Sequence, residues 1–206
     1  MGNMSIYTRT GDKGETGLAN GDRVRKDTPI ISFIGHLDEF NAQIGLIISQ
    51  LKDYNHVDFS TEEDFLQKIQ NNLFVIGANV VHAKLPFDDL NEVKLLENYI
   101  DELEKSLPKL TNFILPGGSK ASSLVHLART NNRKIETLIF SLNRPDIEIF
   151  LPYFNRLSDS LFVMARSINF KLNIDEPIWK SWILKIEWAG KSLKNFSPLF
   201  FKVWQS

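Results

Sequence analysis

Apolar residues recur at intervals of three and four through most of this chain, and that period admits few folds. Ile30, Phe33, Ile34, Leu37, Phe40, Ile44, Ile47 and Leu51 form the first stripe. Pro29 suits the first turn of the helix they define, with Asp27 or Thr28 as its cap. A second stripe, Phe65, Leu66, Ile69, Leu73, Ile76 and Val80, follows Ser60-x-x-Glu63, which reads as a capping box. Val93, Leu96, Ile100, Leu103 and Leu107 predict a third helix, stopped by Pro108. The fourth starts after Ser119, a cap candidate, and turns Leu124, Leu127, Ile135, Leu138 and Leu142 inward. The fifth opens at Pro152 and carries Phe154, Leu157, Leu161, Met164 and Ile168. Strand signals are weak everywhere. The expected fold class is therefore all-α, a five-helix bundle with short connections.

The chain has 206 residues, which favours one domain with a substantial core. It has no cysteine, which excludes disulfides and thiolate metal sites. Its net charge is −1, with 24 basic and 25 acidic side chains, which argues against a mainly electrostatic nucleic-acid binder. No uncharged apolar run approaches the ~18 residues of a membrane span. The polar stretch begins too early for a targeting peptide. A cytoplasmic protein with no transmembrane segment is expected. Composition shifts after Leu172, where Trp179, Trp182, Trp188 and Trp204 all lie. The chain thus divides into a bundle, residues 1–171, and an aromatic C-terminal extension, residues 172–206. The extension either packs on the bundle or a subunit interface, or meets a partner or membrane surface.

Two features can carry chemistry. The first is the stretch from Ser5 to Asp27, with Gly11, Gly14, Gly17 and Gly21 among Thr8, Arg9, Thr10, Lys13, Thr16, Arg23, Arg25 and Lys26. Glycines let the backbone approach a ligand. Converging N–H groups, hydroxyls and cations then cradle phosphate oxygens. A plain polar loop has the same composition. The spacing matches neither a Walker A loop nor a dinucleotide fingerprint. The second feature is Arg129, Arg133 and Glu136, which share one face of the fourth helix. Two arginines a turn apart can fork onto phosphate or carboxylate oxygens, or the face can be solvated and self-paired. His36, His56, His82 and His126 are scattered, so no metal ligands are identified. No protein nucleophile is recognisable either, which suits chemistry carried by a cofactor.

Seven motifs occur in the order found in a known family. They are Tyr7-Thr-Arg-Thr-Gly-Asp-Lys-Gly-Glu-Thr16, Arg23-Val-Arg-Lys-Asp27, Gly35-His-Leu-Asp-Glu-Phe-Asn41, and Ile69-Gln70 with Leu73-Phe74-Val-Ile-Gly77. After these come Phe113-Ile-Leu-Pro-Gly-Gly118, Ala128-Arg-Thr-Asn-Asn-Arg-Lys-Ile-Glu136 and Asn155-Arg-Leu-Ser-Asp159. Over roughly residues 5 to 170 the chain resembles the ATP:cob(I)alamin adenosyltransferases of the PduO type.

The resemblance implies a homotrimer with active sites between subunits. It implies transfer of the 5′-deoxyadenosyl group of ATP to the cobalt of cob(I)alamin, giving adenosylcobalamin and triphosphate. By position, Thr8, Arg9, Thr10, Gly11, Thr16, Gly17 and Lys26 would bind ATP. Arg133 and Lys134 would do the same, with Glu136 and Asn155 orienting the nucleotide. Arg133, Arg129 and Asp38 would be the catalytic group, Asp38 pairing with Arg129 of an adjacent subunit. Phe113 would contact cobalamin and help strip cobalt of its lower ligand. Magnesium would accompany ATP, and a reductase or cobalamin-dependent enzyme could be a partner. The chain departs from the family's pattern at His36, Phe40, Lys134 and Thr137, and lysine for arginine at position 134 forfeits bidentate geometry. Two other classes compete with the enzyme. One is a nucleotide or corrinoid carrier, and the other is a helical scaffold.

Overall fold

The computed structural model of the chain describes Tyr7 and residues 9–179. Among these residues are five long helices, as the apolar stripes predict. They are α1 (Pro29–Lys52), α2 (Ser60–Val80), α3 (Asp89–Glu104), α4 (Lys120–Ser141) and α6 (Leu151–Lys171), with a single helical turn, α5 (Pro145–Glu148), between the last two. α4 packs on both α6 and α1, α2 lies against α1, and α3 lies against α6. Side chains close the ring between α2 and α3. Phe65 stacks on Tyr99 with ring centroids 3.6 Å apart, and Asn72 donates to Glu92 at 2.8 Å.

Phe33, Phe40, Phe150, Tyr153 and Phe154 fill the core, each fully buried. The predicted inward face of α4 is corrected. Leu127 is exposed, while Val125, Ala128, Asn132, Ile135 and Ile139 are buried. Small residues explain the rotation. Ala121, Ser122 and Ala128 let α4 approach its neighbours closely, and a row of leucines could not.

The ends of the helices follow local chemistry. Ser119 caps α4 by accepting from the Ser122 N–H at 3.0 Å. The expected capping box at Ser60 does not form. α2 takes Phe59 as its cap residue with no side-chain bond, and Ser60 N–H is met by Asp58 at 2.9 Å. Asp58 takes the Ser60 N–H that Glu63 would have accepted, and the Glu63 N–H bonds the Phe59 carbonyl at 2.9 Å, so the Ser60 hydroxyl has no donor left to cap. Thr28 precedes α1 but turns its hydroxyl back to the Arg25 carbonyl at 2.9 Å.

Inside the N-terminal stretch lies a small sheet that the weak strand signals did not predict. β1 (Glu15–Gly17) pairs antiparallel with β2 (Arg23–Arg25), with Thr16 opposite Val24. Asn20-Gly21 turns the chain between them, with Gly21 at φ 92°. That dipeptide is a hairpin signal in its own right. The hairpin rests on the bundle through Ala19 N–H, which donates to the Val81 carbonyl at 3.2 Å, just past the end of α2.

Candidate functional site

The expected site residues fall into three groups. On the hairpin, Gly14 adopts φ 82°, and its carbonyl accepts from Lys26 N–H at 2.9 Å. This bond folds β2's end back over the loop. A Cβ on Gly11 would come within 3.1 Å of the Lys26 ammonium, so Gly11 and Lys26 are held together. Arg23 donates to the Thr10 carbonyl at 2.7 Å and to Glu15 at 3.3 Å. Thr16 and Gly17 lie on β1. Arg9 stacks over the Tyr7 ring at 5.4 Å. Thr8 lies outside the described residues.

The second group is the α4 face. Arg129 is only 8% exposed, and its Nε has no hydrogen-bond partner. Its guanidinium lies over the Phe162 ring of α6 at 5.9 Å. Burial is the main cause that lowers its pKa, the Arg133 charge adds to it, and Asp159 opposes. One turn on stand Arg133, Lys134 and Glu136, which with Thr137 and Phe140 line a groove of about 430 Å³. Asn155 of α6 donates to Glu136 at 3.3 Å, which fixes the carboxylate beside the groove. Lys134 is exposed. The structure thus brings Arg129, Arg133 and Glu136 onto one face of α4, as their spacing predicts, with Asn155 bonded to Glu136. Asp38 is exposed on α1.

Several residues around this face were not singled out as site residues. His126 sits one turn before Arg129, 3% exposed, with Nδ1 unpaired and its ring edge-on to Phe162 at 6.1 Å. Burial first, then the Arg129 charge, brings its pKa down to about 4, so the ring is neutral at ordinary pH. Asp159 bonds Arg156 at 3.0 Å, and burial raises its pKa against the pull of Arg156, Arg133 and Arg129. A larger opening of about 1010 Å³ lies between α3 and α6, lined in part by Ile100, Arg156, Asp159, Phe162 and Arg166. The three-and-four spacing of Asp159, Phe162 and Arg166 on α6 was the available signal, but apolar periodicity does not mark polar linings.

The third group is the connection before α4. Phe113 is half-buried and meets the Trp179 ring edge-on, with centroids 6.0 Å apart. Asn169 of α6 holds the turn that follows. Its amide donates to the Gly117 carbonyl at 3.0 Å and its oxygen accepts from Ser119 N–H at 2.9 Å. Gly118, at φ 95°, lies so close that any Cβ would strike the Asn169 carboxamide.

The sequence pattern of the cobalamin adenosyltransferase family matches residues 6–168. The chain belongs to that family. Within the family it is of the PduO type. It is 39% identical over 178 residues to a corrinoid adenosyltransferase of Bacillus subtilis, covering 84% of this chain and 91% of that one. It is 37% identical to the corrinoid adenosyltransferase PduO of Citrobacter freundii, covering 80% of this chain and 50% of that one. The fold is similar to that of a variant PduO-type ATP:corrinoid adenosyltransferase from Lactobacillus reuteri complexed with cobalamin and ATP. That likeness has a TM-score of 0.76 and 29% identity, and covers 86% of this chain and 97% of the other. The expected site residues all lie within the family match, and Asn169 and Trp179 lie beyond it. Among the described residues no helix is long and apolar enough to cross a membrane.

Proposed function

We propose that this chain transfers the 5′-deoxyadenosyl group of ATP to the cobalt of cob(I)alamin, releasing adenosylcobalamin and triphosphate. The α4 face carries the reading. A buried arginine with an unpaired Nε stands one turn from a groove lined by Arg133, Lys134 and a fixed Glu136. That is a setting for polyphosphate. Its relatives' names, and the ATP and cobalamin held by the similar structure, support the same substrates.

The cobalt(I) lone pair attacks C5′ of the ribose. The C5′–O bond breaks, and its electrons leave on triphosphate. Cobalt is the nucleophile, so the protein supplies position and charge. Arg133, Lys134 and the hairpin residues Arg9, Thr10, Gly11, Thr16, Gly17 and Lys26, with Thr8, hold the phosphates. Glu136 and Asn155 orient the nucleoside. The larger cavity shares Phe162 with the Arg129 face, and in this reading it takes the corrin beside the nucleotide. Phe113 covers the lower face of that corrin.

The hairpin and the α4 face stand on different elements, and a trimer would join them across a subunit boundary, with Asp38 of one subunit on Arg129 of the next. No three His, Cys, Asp or Glu among the described residues cluster to hold a metal. In this reading magnesium arrives with the nucleotide, since it favours substrate phosphates and retained waters over an all-protein cage. A cytoplasmic setting, and a reductase or cobalamin-dependent enzyme as partner, complete the reading.

Incubation with ATP, magnesium and chemically reduced cobalamin tests it. Adenosylcobalamin and triphosphate are expected in equal amounts. ATP cleavage without a cobalt–carbon product overturns it. Light scattering reports the trimer, and a monomer at micromolar concentration removes the shared site.

A further inference from the structure

Phe113 stands on a connection, and backbone partners for that connection come from the chain beyond α6. Leu115 N–H donates to the Pro177 carbonyl at 2.7 Å, and Trp179 N–H donates to the Phe113 carbonyl at 2.8 Å. Ile114 and Ile178 sit opposite each other as an antiparallel bridge. The Trp179 indole meets the Phe113 ring at 87° and leaves nearly half of its own surface, 47%, exposed. A Cβ on Gly117 would come within 3.0 Å of the Pro177 ring, so the strap lies directly on the Pro-Gly-Gly turn.

Two backbone bonds at a surface do not hold a segment by themselves. The anchor is Arg166 on α6, which is 5% exposed. Its Nε donates to both oxygens of Glu176 at 3.2 Å, and its Nη2 donates to the Pro108 carbonyl at 2.8 Å. A buried guanidinium is costly unless its donors are matched. Here the matches lie on the two segments that flank Phe113 in space. Pro108 precedes it on its own connection, and Glu176 opens the strap. Ordering the strap therefore completes the coordination of a buried charge, and the same act fixes the backbone of Phe113.

We infer that residues 176–179 form a positioning strap for Phe113, locked by the Arg166–Glu176 pair, with Trp179 setting the Phe113 ring and extending its aromatic wall toward the corrin. The inference rests on Phe113 as the residue beneath the corrin. A flat, apolar macrocycle suits two aromatic rings held edge to face, one of them half open to solvent. The strap lies beyond residue 168, where the family match ends.

The test uses the full chain with ATP and cob(II)alamin. Electron paramagnetic resonance reads the four-coordinate cobalt signal, and calorimetry reads ATP affinity. A wild-type enzyme with no such signal sinks the role of Phe113 itself, and this is seen before any variant is compared. Given the signal, Trp179→Ala is expected to lower the four-coordinate fraction on the order of tenfold, as misplacement of a distant supporting group does. ATP affinity stays unchanged, and Trp179→Phe restores the signal. A wild-type signal in Trp179→Ala overturns the inference. Should that variant fail to fold, Glu176→Gln decides, since it keeps the shape and removes the charge from the lock. Selective loss of the cobalt signal then supports the strap. A wild-type signal, or equal loss of signal and ATP binding, overturns it.

Discussion

The hairpin and the α4 face use the same residue types in opposite settings. On the hairpin, arginines pair with carboxylates in water. Arg25 and Asp27 are bonded at 2.6 Å, but their side chains are 74% and 64% exposed. Such pairs are screened by salt and hold little. On α4, Arg129 is packed against Phe162 and shut away from solvent. Its direction is set by packing, not by a partner that can drift. Charge fixed in advance stabilises a leaving polyanion with little reorganisation. Exposed, locally paired charge can instead rearrange around an arriving ligand. On the proposed reading, the fold assigns the transition state to α4 and nucleotide capture to the hairpin.

The strongest way to break this comparison is Arg133→Ala. It should lower turnover by about 3 kcal/mol in barrier, the scale of one preorganised electrostatic contact. Thermal unfolding should barely change. Wild-type turnover in the folded variant would reduce Arg133 to a surface charge.

Acid should expose the cost of the buried α4 face. His126 has its pKa pushed down to about 4 by burial when folded, against 6.5 unperturbed. The unfolded chain therefore binds the extra proton between those values. The contribution is complete above about pH 6.5 and is lost as pH falls toward 4, up to roughly 3 kcal/mol. Denaturant unfolding at pH 7 and pH 5 should show the loss, and His126→Gln should flatten it. An acid limb that is the same in both proteins assigns the loss to other groups.

Gly14→Ala probes the hairpin. No atom obstructs the new methyl, so φ 82° alone resists it, at about 1 kcal/mol. Hydrogen exchange at the Lys26 amide, bonded to the Gly14 carbonyl, should then speed roughly fivefold. Unchanged protection there would mean the loop is rigid for another reason. Smallest of all, Asp27→Asn removes an exposed partner of Arg25 and should leave the melting temperature where it was. A clear drop would show that the hairpin's charges are structural after all.

The helices were legible because burial imposes a period, and Phe33, Phe40, Ile44 and Ile47 obey it fully. The α4 face was legible because Arg129, Arg133 and Glu136 lie on one helix, where spacing fixes direction. Leu127 misled, since a leucine at the right interval looks inward whether or not smaller neighbours claim the contact. The hairpin was hidden because its strands are three residues each, too short to show alternation. The strap was hidden for another reason. Glu176 and Trp179 meet Arg166 and Phe113 through contacts that no local pattern encodes, and their stretch read as an appended tail. Trp182, Trp188 and Trp204 lie outside the described residues.

The grip of Asn169 on the turn before α4 also sets an order of events. Ser119 N–H finds its acceptor 50 residues further along the chain, and the Gly117 carbonyl finds its donor 52 residues on. During synthesis, domains tend to organise from the N-terminus as the chain emerges. α1 and α2 can pair early by that route. The bend that carries Phe113 cannot settle until the last turn of α6 has left the ribosome. A nascent chain halted before Asn169 would have most of its helices and no finished turn ahead of α4.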